Sequence, residues 1–172
     1  MNALVWNHCG FVRGPCDAGR VGTFQTSPQP AIPSLPGGGP RPDAFVIKFD
    51  GTLSQVLAST LLGGEGGDYG RAIAIDSAGN IVVGGVTTSK AFPTRAPLQA
   101  SFSDYSGFLA SLDPGLSTLL DSTYLGDSRY FDLRGVSPDA GGNVLVFGST
   151  SLPAVRFACR RRAAWMRARR LS

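Results

Sequence analysis

The chain repeats itself at a spacing of 63 residues, in one register and without a gap. Ser59-Thr60 recurs as Ser122-Thr123, and Gly79-Asn80 recurs as Gly142-Asn143. Many positions that differ between the two copies stay apolar. So many matches in one register are not expected by chance. The spacing therefore predicts a structural unit of about 60 residues that is used twice.

Within the unit, short apolar segments alternate with turn residues, which is the pattern of β-strands. The segment "AFVIKF" places Phe45, Ile47 and Phe49 on one face, and "RAIAID" places Ile73 and Ile75 opposite small alanines. Asp, Gly and Asn between the segments favour tight turns. No window of the repeat shows a sustained helical period with caps. We predict an all-β fold of antiparallel, four-stranded propeller-type blades, with a β-sandwich as the alternative.

The segment "GGEGGDYG", residues 63–70, allows three interpretations. It matches half of the calcium β-roll pattern, with Glu65 and Asp68 as weak candidate ligands. That pattern works in tandem, however, and here it occurs once, with Gly70 in place of a large apolar residue. A phosphate-binding loop would need Gly-Lys-Ser/Thr and a following helix, and this sequence has neither. We interpret the segment as a turn whose glycines adopt positive φ, and we predict no cofactor.

Composition divides the chain into four parts. We assign residues 1–25 to an irregular N-terminal segment, 26–42 to a Pro/Gly-rich linker, 43–154 to the repeat region (copies 43–105 and 106–154) and 155–172 to an Arg-rich tail. The net charge of +4 combines +7 on the tail with −3 on the remaining residues. The basic pI of 9.3 therefore belongs to the tail and does not indicate a basic binding face on the fold.

The tail, "RFACRRRAAWMRARRLS", shares nothing with the repeat. Its Arg, Ala and Trp content is what a shifted reading frame in GC-rich DNA would give; an unstructured segment or a short basic helix is the alternative. Arginines could hold phosphates and Trp165 could stack on a base, so an anion or nucleic-acid binder is the alternative function. The tail has no recognisable binding motif, which weighs against this alternative. The candidate anion-binding residues are Arg160, Arg161, Arg162, Arg167, Arg169 and Arg170.

Residues with catalytic or metal-binding chemistry are few. His8 is the one histidine, and Cys9, Cys16 and Cys159 form no C-x-x-C pair. Zinc at His8, Cys9 and Cys16 is less favoured than incidental thiols, because the ligand spacing is unusual. No Ser-His-Asp or Cys-His set can be built within the repeat, so we predict no catalytic residue. No segment has the apolar length of a membrane span, and no signal peptide is visible.

Two long segments carry a family resemblance. The first copy contains "DAFVIKFD" and "STLLGGEGGDYGRAIAIDSAGNIVVGGVTTSKAFPT", and the second contains "GFLASLDP" and "STYLGDSRYFDLRGVSPDAGGNVLVFGSTS". In combination these motifs resemble the bacterial SBBP-type β-propeller repeat over residues 43 to 154. The resemblance implies a multi-bladed propeller, usually in exported or cell-surface bacterial proteins. It implies no catalytic residue and no fixed ligand.

The phase of that family places one complete blade at residues 71–125, between half-blades at 45–62 and 134–150. A closed propeller needs at least four blades, so the chain resembles a fragment with open faces. Its expected partners are neighbouring blades or other protein surfaces. Pro138 stands where the first copy has Ile75, so we expect this inner strand to end early or to lie at an edge.

We therefore predict a non-catalytic scaffold or interaction segment of a larger exported or cell-surface protein. An enzyme that lacks its catalytic half is a further alternative, without support in the sequence. Asp76 and Asp139 each precede a turn, and we predict that each caps its own loop. Loops would carry any ligand contacts. The candidate ligand-facing residues are Tyr69, Arg71, Tyr130 and Arg134.

Overall fold

The computed structural model describes residues 41–101, 104–126 and 131–150. The predictions for His8, the cysteines, Tyr130, the Arg-rich tail and most of the Pro/Gly-rich linker lie outside these residues. The described residues form eight β-strands and no helix. The strands are β1 (Ala44–Phe49), β2 (Val56–Leu62), β3 (Asp68–Ile75), β4 (Ile81–Thr87), β5 (Ser106–Leu112), β6 (Leu119–Leu125), β7 (Phe131–Pro138) and β8 (Val144–Thr150). The prediction of an all-β fold is confirmed.

The strands form three antiparallel sheets. We call β1–β2 the N-terminal pair, β3-β4-β5-β6 the central sheet and β7–β8 the C-terminal pair. The central sheet joins the second half of one repeat copy to the first half of the next. The structure therefore has the predicted arrangement, with one complete four-stranded blade between two half-blades.

The central sheet is covered on both faces, which explains why every residue of "IVVGGVT" in β4 is buried. On one face, Val83 lies opposite Ala110 in the β4–β5 ladder and belongs to the core shared with Val46 of the N-terminal pair. The other face packs on the C-terminal pair, where Phe131 and Leu133 of β7 are buried. The fold is thus three layers of β-structure with a core on each side of the central sheet.

Equivalent positions of the two repeat copies have equivalent backbone geometry. Leu53 and Leu116 are both in the left-handed region, with φ of 58° and 56°. Gly79 and Gly142 have φ of 84° and 82°. A register shift interrupts the β1–β2 ladder and recurs in β5–β6, and another interrupts β3–β4 and recurs in β7–β8. The sequence repeat is therefore a structural repeat.

The aspartates before the strand-connecting turns cap their loops, as predicted. The Asp76 carboxylate accepts hydrogen bonds from the backbone N–H groups of Ala78 and Asn80, at 2.9 and 2.8 Å. Asp139 accepts the equivalent bonds in the second copy. The side-chain amide of Asn80, together with these N–H groups, lowers the pKa of Asp76. Neither acid is left over for a catalytic pair.

Each strand of the N-terminal and C-terminal pairs has one edge that pairs with no other described strand. Pro138 is the last residue of β7, opposite Val144, and β7 pairs with β8 alone. Of the two outcomes expected for Pro138, the edge position is the one observed. Phe45, Ile47 and Phe49 share a face of β1 as predicted, but that face points away from the central sheet and is exposed.

Candidate functional site

The glycine-rich segment 63–70 is a site of close packing between two loops. A Cβ on Gly66 would lie 2.6 Å from the backbone carbonyl carbon of Thr88, and one on Gly64 would lie 2.7 Å from the Cβ of Ser89. None of the glycines between residues 63 and 70 has a positive φ. The prediction of positive φ is therefore wrong here. Glycine is needed because the loop before β3 touches the loop after β4.

Asp68, at the start of β3, holds these two loops together. Its carboxylate is buried and accepts hydrogen bonds from the Gly64 N–H at 2.8 Å, the Ser89 hydroxyl at 2.7 Å and the Thr87 hydroxyl. Burial raises the pKa of Asp68, and the hydrogen bonds act in the opposite direction. Asp68 is thus the acceptor that links the loop before β3 to the end of β4 and the loop after it.

Glu65 makes a second link between the same loops. Its two carboxylate oxygens accept the backbone N–H groups of Lys90 and Ala91, at 2.8 and 3.0 Å. Partial burial raises the pKa of Glu65, but hydrogen bonds from backbone N–H groups outweigh burial and bring the pKa below its ordinary value. Glu65 therefore caps the loop that follows β4 in its ionised form.

The two weak calcium candidates, Glu65 and Asp68, thus direct their oxygens at groups of the chain itself. Across 41–101, 104–126 and 131–150, no three His, Cys, Asp or Glu side chains are grouped so as to hold a metal ion. This geometry favours the structural interpretation of residues 63–70. Calcium binding there stays the less favoured alternative, which titration can test.

An open cavity of about 470 Å³ lies between β1 and β3. Tyr69 and Arg71, two of the predicted ligand-facing residues, both line this cavity. Arg134 lies elsewhere, on β7, where its guanidinium contacts the carboxylate of Asp132 at 2.7 Å. The structure therefore brings two of the predicted residues together and separates the third. The lining also includes Ala44, Phe45, Val46, Gly70 and Ile73.

Sequence reasoning missed Asp43 and Tyr105. One carboxylate oxygen of Asp43 is buried without a hydrogen-bond partner. Burial, followed by repulsion from Asp68, raises the pKa of Asp43 to about 6. Burial also raises the pKa of Tyr105, which lies in the electrostatic field of Arg71. Asp43 and Tyr105 each lie just before a strand, outside the alternating pattern of apolar residues. The sequence therefore contains no signal for either residue.

The described residues contain neither His nor Cys, and their acids serve mainly as acceptors within loops. The arrangement offers a cavity lined mostly by apolar residues, and two strand edges that pair with no other described strand. Such a surface can bury apolar side chains and pair with another strand. It assembles no nucleophile with a general base among these residues.

The loop anchored by Asp68, with the strands on either side, is the part of the molecule that a family comparison recognises. Residues 59–93 match the family model described as SBBP, a beta-propeller repeat. The matched SBBP repeat contains β3, β4 and the two loops that Asp68 and Glu65 connect, so the predicted resemblance is confirmed at these residues.

No curated protein matches the chain. Within the described residues, no helix has the length and apolar character needed to cross a membrane. The SBBP repeat is therefore the finding that guides a functional proposal, and it indicates a structural repeat segment.

Proposed function

We propose that the protein is a non-catalytic β-propeller segment that serves as a structural or interaction scaffold in an exported or cell-surface protein. The observation that supports this is the contrast between equivalent strands. Phe108 of β5 is 0% exposed, whereas Phe45, its equivalent in β1, is 70% exposed. The same side chain that is core in the central sheet is surface in the N-terminal pair.

The second end of the molecule shows the same contrast. Every residue of β8 is exposed, whereas every residue of its equivalent, β4, is buried. Apolar strands with free edges are costly to leave in water. These two surfaces have the form of blade interfaces, and the protein's role follows from what packs on them.

The polar groups of the described loops support a structural role over a chemical one. Asp50 accepts backbone N–H groups of Ser54 and Gln55, and Asp113 accepts the equivalent bonds one repeat later. Each acid stabilises its own turn. The loops are built to hold strands in register, as a scaffold requires.

The cellular location of the protein can be tested directly. An epitope inserted after Ala100, an exposed loop residue, should leave the strands intact. We expect the tagged protein in the extracellular fraction, or on intact cells in a form that added protease removes. A cytoplasmic reporter in the same cells should resist the protease. A tag found only with that cytoplasmic reporter would contradict the exported role.

A further inference from the structure

The free edges of β1 and β8 are complementary halves of one interface. In the central sheet, β4 pairs with β5 along its whole length. One repeat earlier, β5 corresponds to β1; one repeat later, β4 corresponds to β8. No described strand pairs with the outer edge of β1 or of β8. The β4–β5 ladder is therefore a template for joining β8 of one copy to β1 of another.

The template also fixes the register. The pairs Val83–Ala110 and Gly85–Phe108 in the β4–β5 ladder correspond to Val146–Ile47 and Gly148–Phe45 between copies. In the central sheet, the Phe108 ring lies against Gly85, where a Cβ would be 2.7 Å from the ring. Gly148 offers Phe45 the same space. The exposed Phe45 would then be covered as Phe108 is.

On the opposite face of the same strands, the contact between copies exchanges a large and a small residue. The side chain of Leu133, from the C-terminal pair, packs against Gly84 of β4. A Cβ at Gly84 would lie 2.8 Å from this side chain. One repeat later, Gly84 is replaced by Phe147. One repeat earlier, Leu133 is replaced by Gly70. A small residue facing a large one has become a large residue facing a small one.

The cavity between β1 and β3 is where this exchange places Phe147. Gly70, Val46 and Ile73 line the cavity, and Val46 is the residue that the template sets opposite Phe147. Phe147 is 73% exposed on its own copy. A cavity of 150 Å³ holds benzene, so about 470 Å³ leaves room for the phenyl ring and part of its strand.

We propose that the chain associates head to tail with a second copy of itself, by pairing β8 of one copy with β1 of the next and inserting Phe147 into the cavity over Gly70. The proposal rests on the scaffold function above and names its partner. The β7–β8 and β1–β2 pairs then complete one four-stranded blade. Strand addition at an edge supplies the backbone hydrogen bonds, and the Phe147 cavity supplies the register.

Such contacts are heterologous and close into a ring when the rotation permits. The described residues of each copy contribute eight strands, which make two blades. Propellers have about four to eight blades, so a closed ring contains about two to four copies.

Single substitutions on either side of the contact test the proposal by light scattering during size exclusion. The full-length wild-type chain at about 100 μM should form assemblies of two to four copies. Phe147→Asp and Gly70→Leu should each weaken association at least about tenfold. A Cβ at Gly70 has its nearest contact at 3.6 Å, so the monomer accommodates the change. Leu98→Asp, at an exposed apolar residue outside the interface, is the matched control.

Two combinations make the test specific. Gly70→Leu with Phe147→Gly in one chain recreates the Gly84–Leu133 pair and should restore assembly. Mixing the Phe147→Asp chain with the Gly70→Leu chain leaves one intact cavity and one intact Phe147. That mixture should give a 1:1 complex of twice the 18.0 kDa chain mass, and nothing larger.

A wild-type chain that stays monomeric at about 100 μM would overturn the proposal. So would assemblies that persist in both single variants, or a mixture that fails to form the 1:1 complex. Circular dichroism on every variant confirms that the strands are folded. A folded wild-type chain that does not assemble would refute self-association alone, whereas the epitope experiment tests the exported role independently.

Discussion

Replacing Asp68 with Ala tests whether the 63–70 loop is held by its own polar network. The substitution removes the acceptor used by the Gly64 N–H and by the Thr87 and Ser89 hydroxyls. A buried donor left without a partner costs about 1–3 kcal/mol, and water and rotation of the hydroxyls recover part of this. We expect a loss of about 3–4 kcal/mol in the free energy of unfolding. For a chain of this size, that lowers Tm by roughly 10 °C.

Urea unfolding followed by circular dichroism measures this loss, and an unchanged m-value shows that the unfolded state is comparable. Asp121→Ala, at an exposed acid on β6, is the matched control and should change stability by no more than about 0.5 kcal/mol. Calcium at millimolar concentration should leave the Tm of the wild-type chain unchanged. A loss below about 1 kcal/mol for Asp68→Ala, or a calcium-dependent rise in Tm, would refute the structural interpretation.

Three further predictions concern the monomeric chain in dilute solution. The pKa of Asp43, about 6, lies above the ordinary 3.8, so Asp43 contributes stability that is present at low pH and lost as pH rises through 6. Asp43→Asn should therefore gain stability relative to wild type between pH 4 and 7. The difference in Tm between the two chains should rise over this range, and a constant difference would contradict the prediction. Gly66→Ala should cost about 1–3 kcal/mol in urea unfolding because its Cβ meets the Thr88 backbone, whereas Gly51→Ala, with open space around it, should be near neutral; equal effects would refute the packing argument. Phe108→Ala should cost about 3–5 kcal/mol and Phe45→Ala less than about 1 kcal/mol, and comparable losses would show that the equivalent strands are buried alike.

The strand order could be predicted from the sequence because the repeat gives the same information twice. Alternation identified the strands, and Asp76 with its Gly and Asn neighbours identified the turns. The blade phase followed from the family resemblance, since a 63-residue period by itself does not say where a sheet begins.

The candidate site was less predictable, because its contacts join residues that are distant in sequence. The polar run Thr87 to Ser89 after an apolar strand was a signal of local hydrogen bonding, but its partner Asp68 is 19 to 21 residues away. Glycines can serve either positive φ or close approach, and only the position of Thr88 shows that Gly66 serves the second. The exchange of Gly84 and Leu133 for Phe147 and Gly70 becomes meaningful only once packing is known.

Hydrogen exchange tests the central claim most directly, which is that a complete blade crosses the boundary between the two repeat copies. At a concentration where the chain is monomeric, β4 and β5 are inner strands of a four-stranded sheet, whereas β1 and β8 have open edges. We predict the slowest amide exchange at residues 81–87 and 106–112. Fast exchange there, with the slowest amides in β1–β2 or β7–β8, would contradict the account.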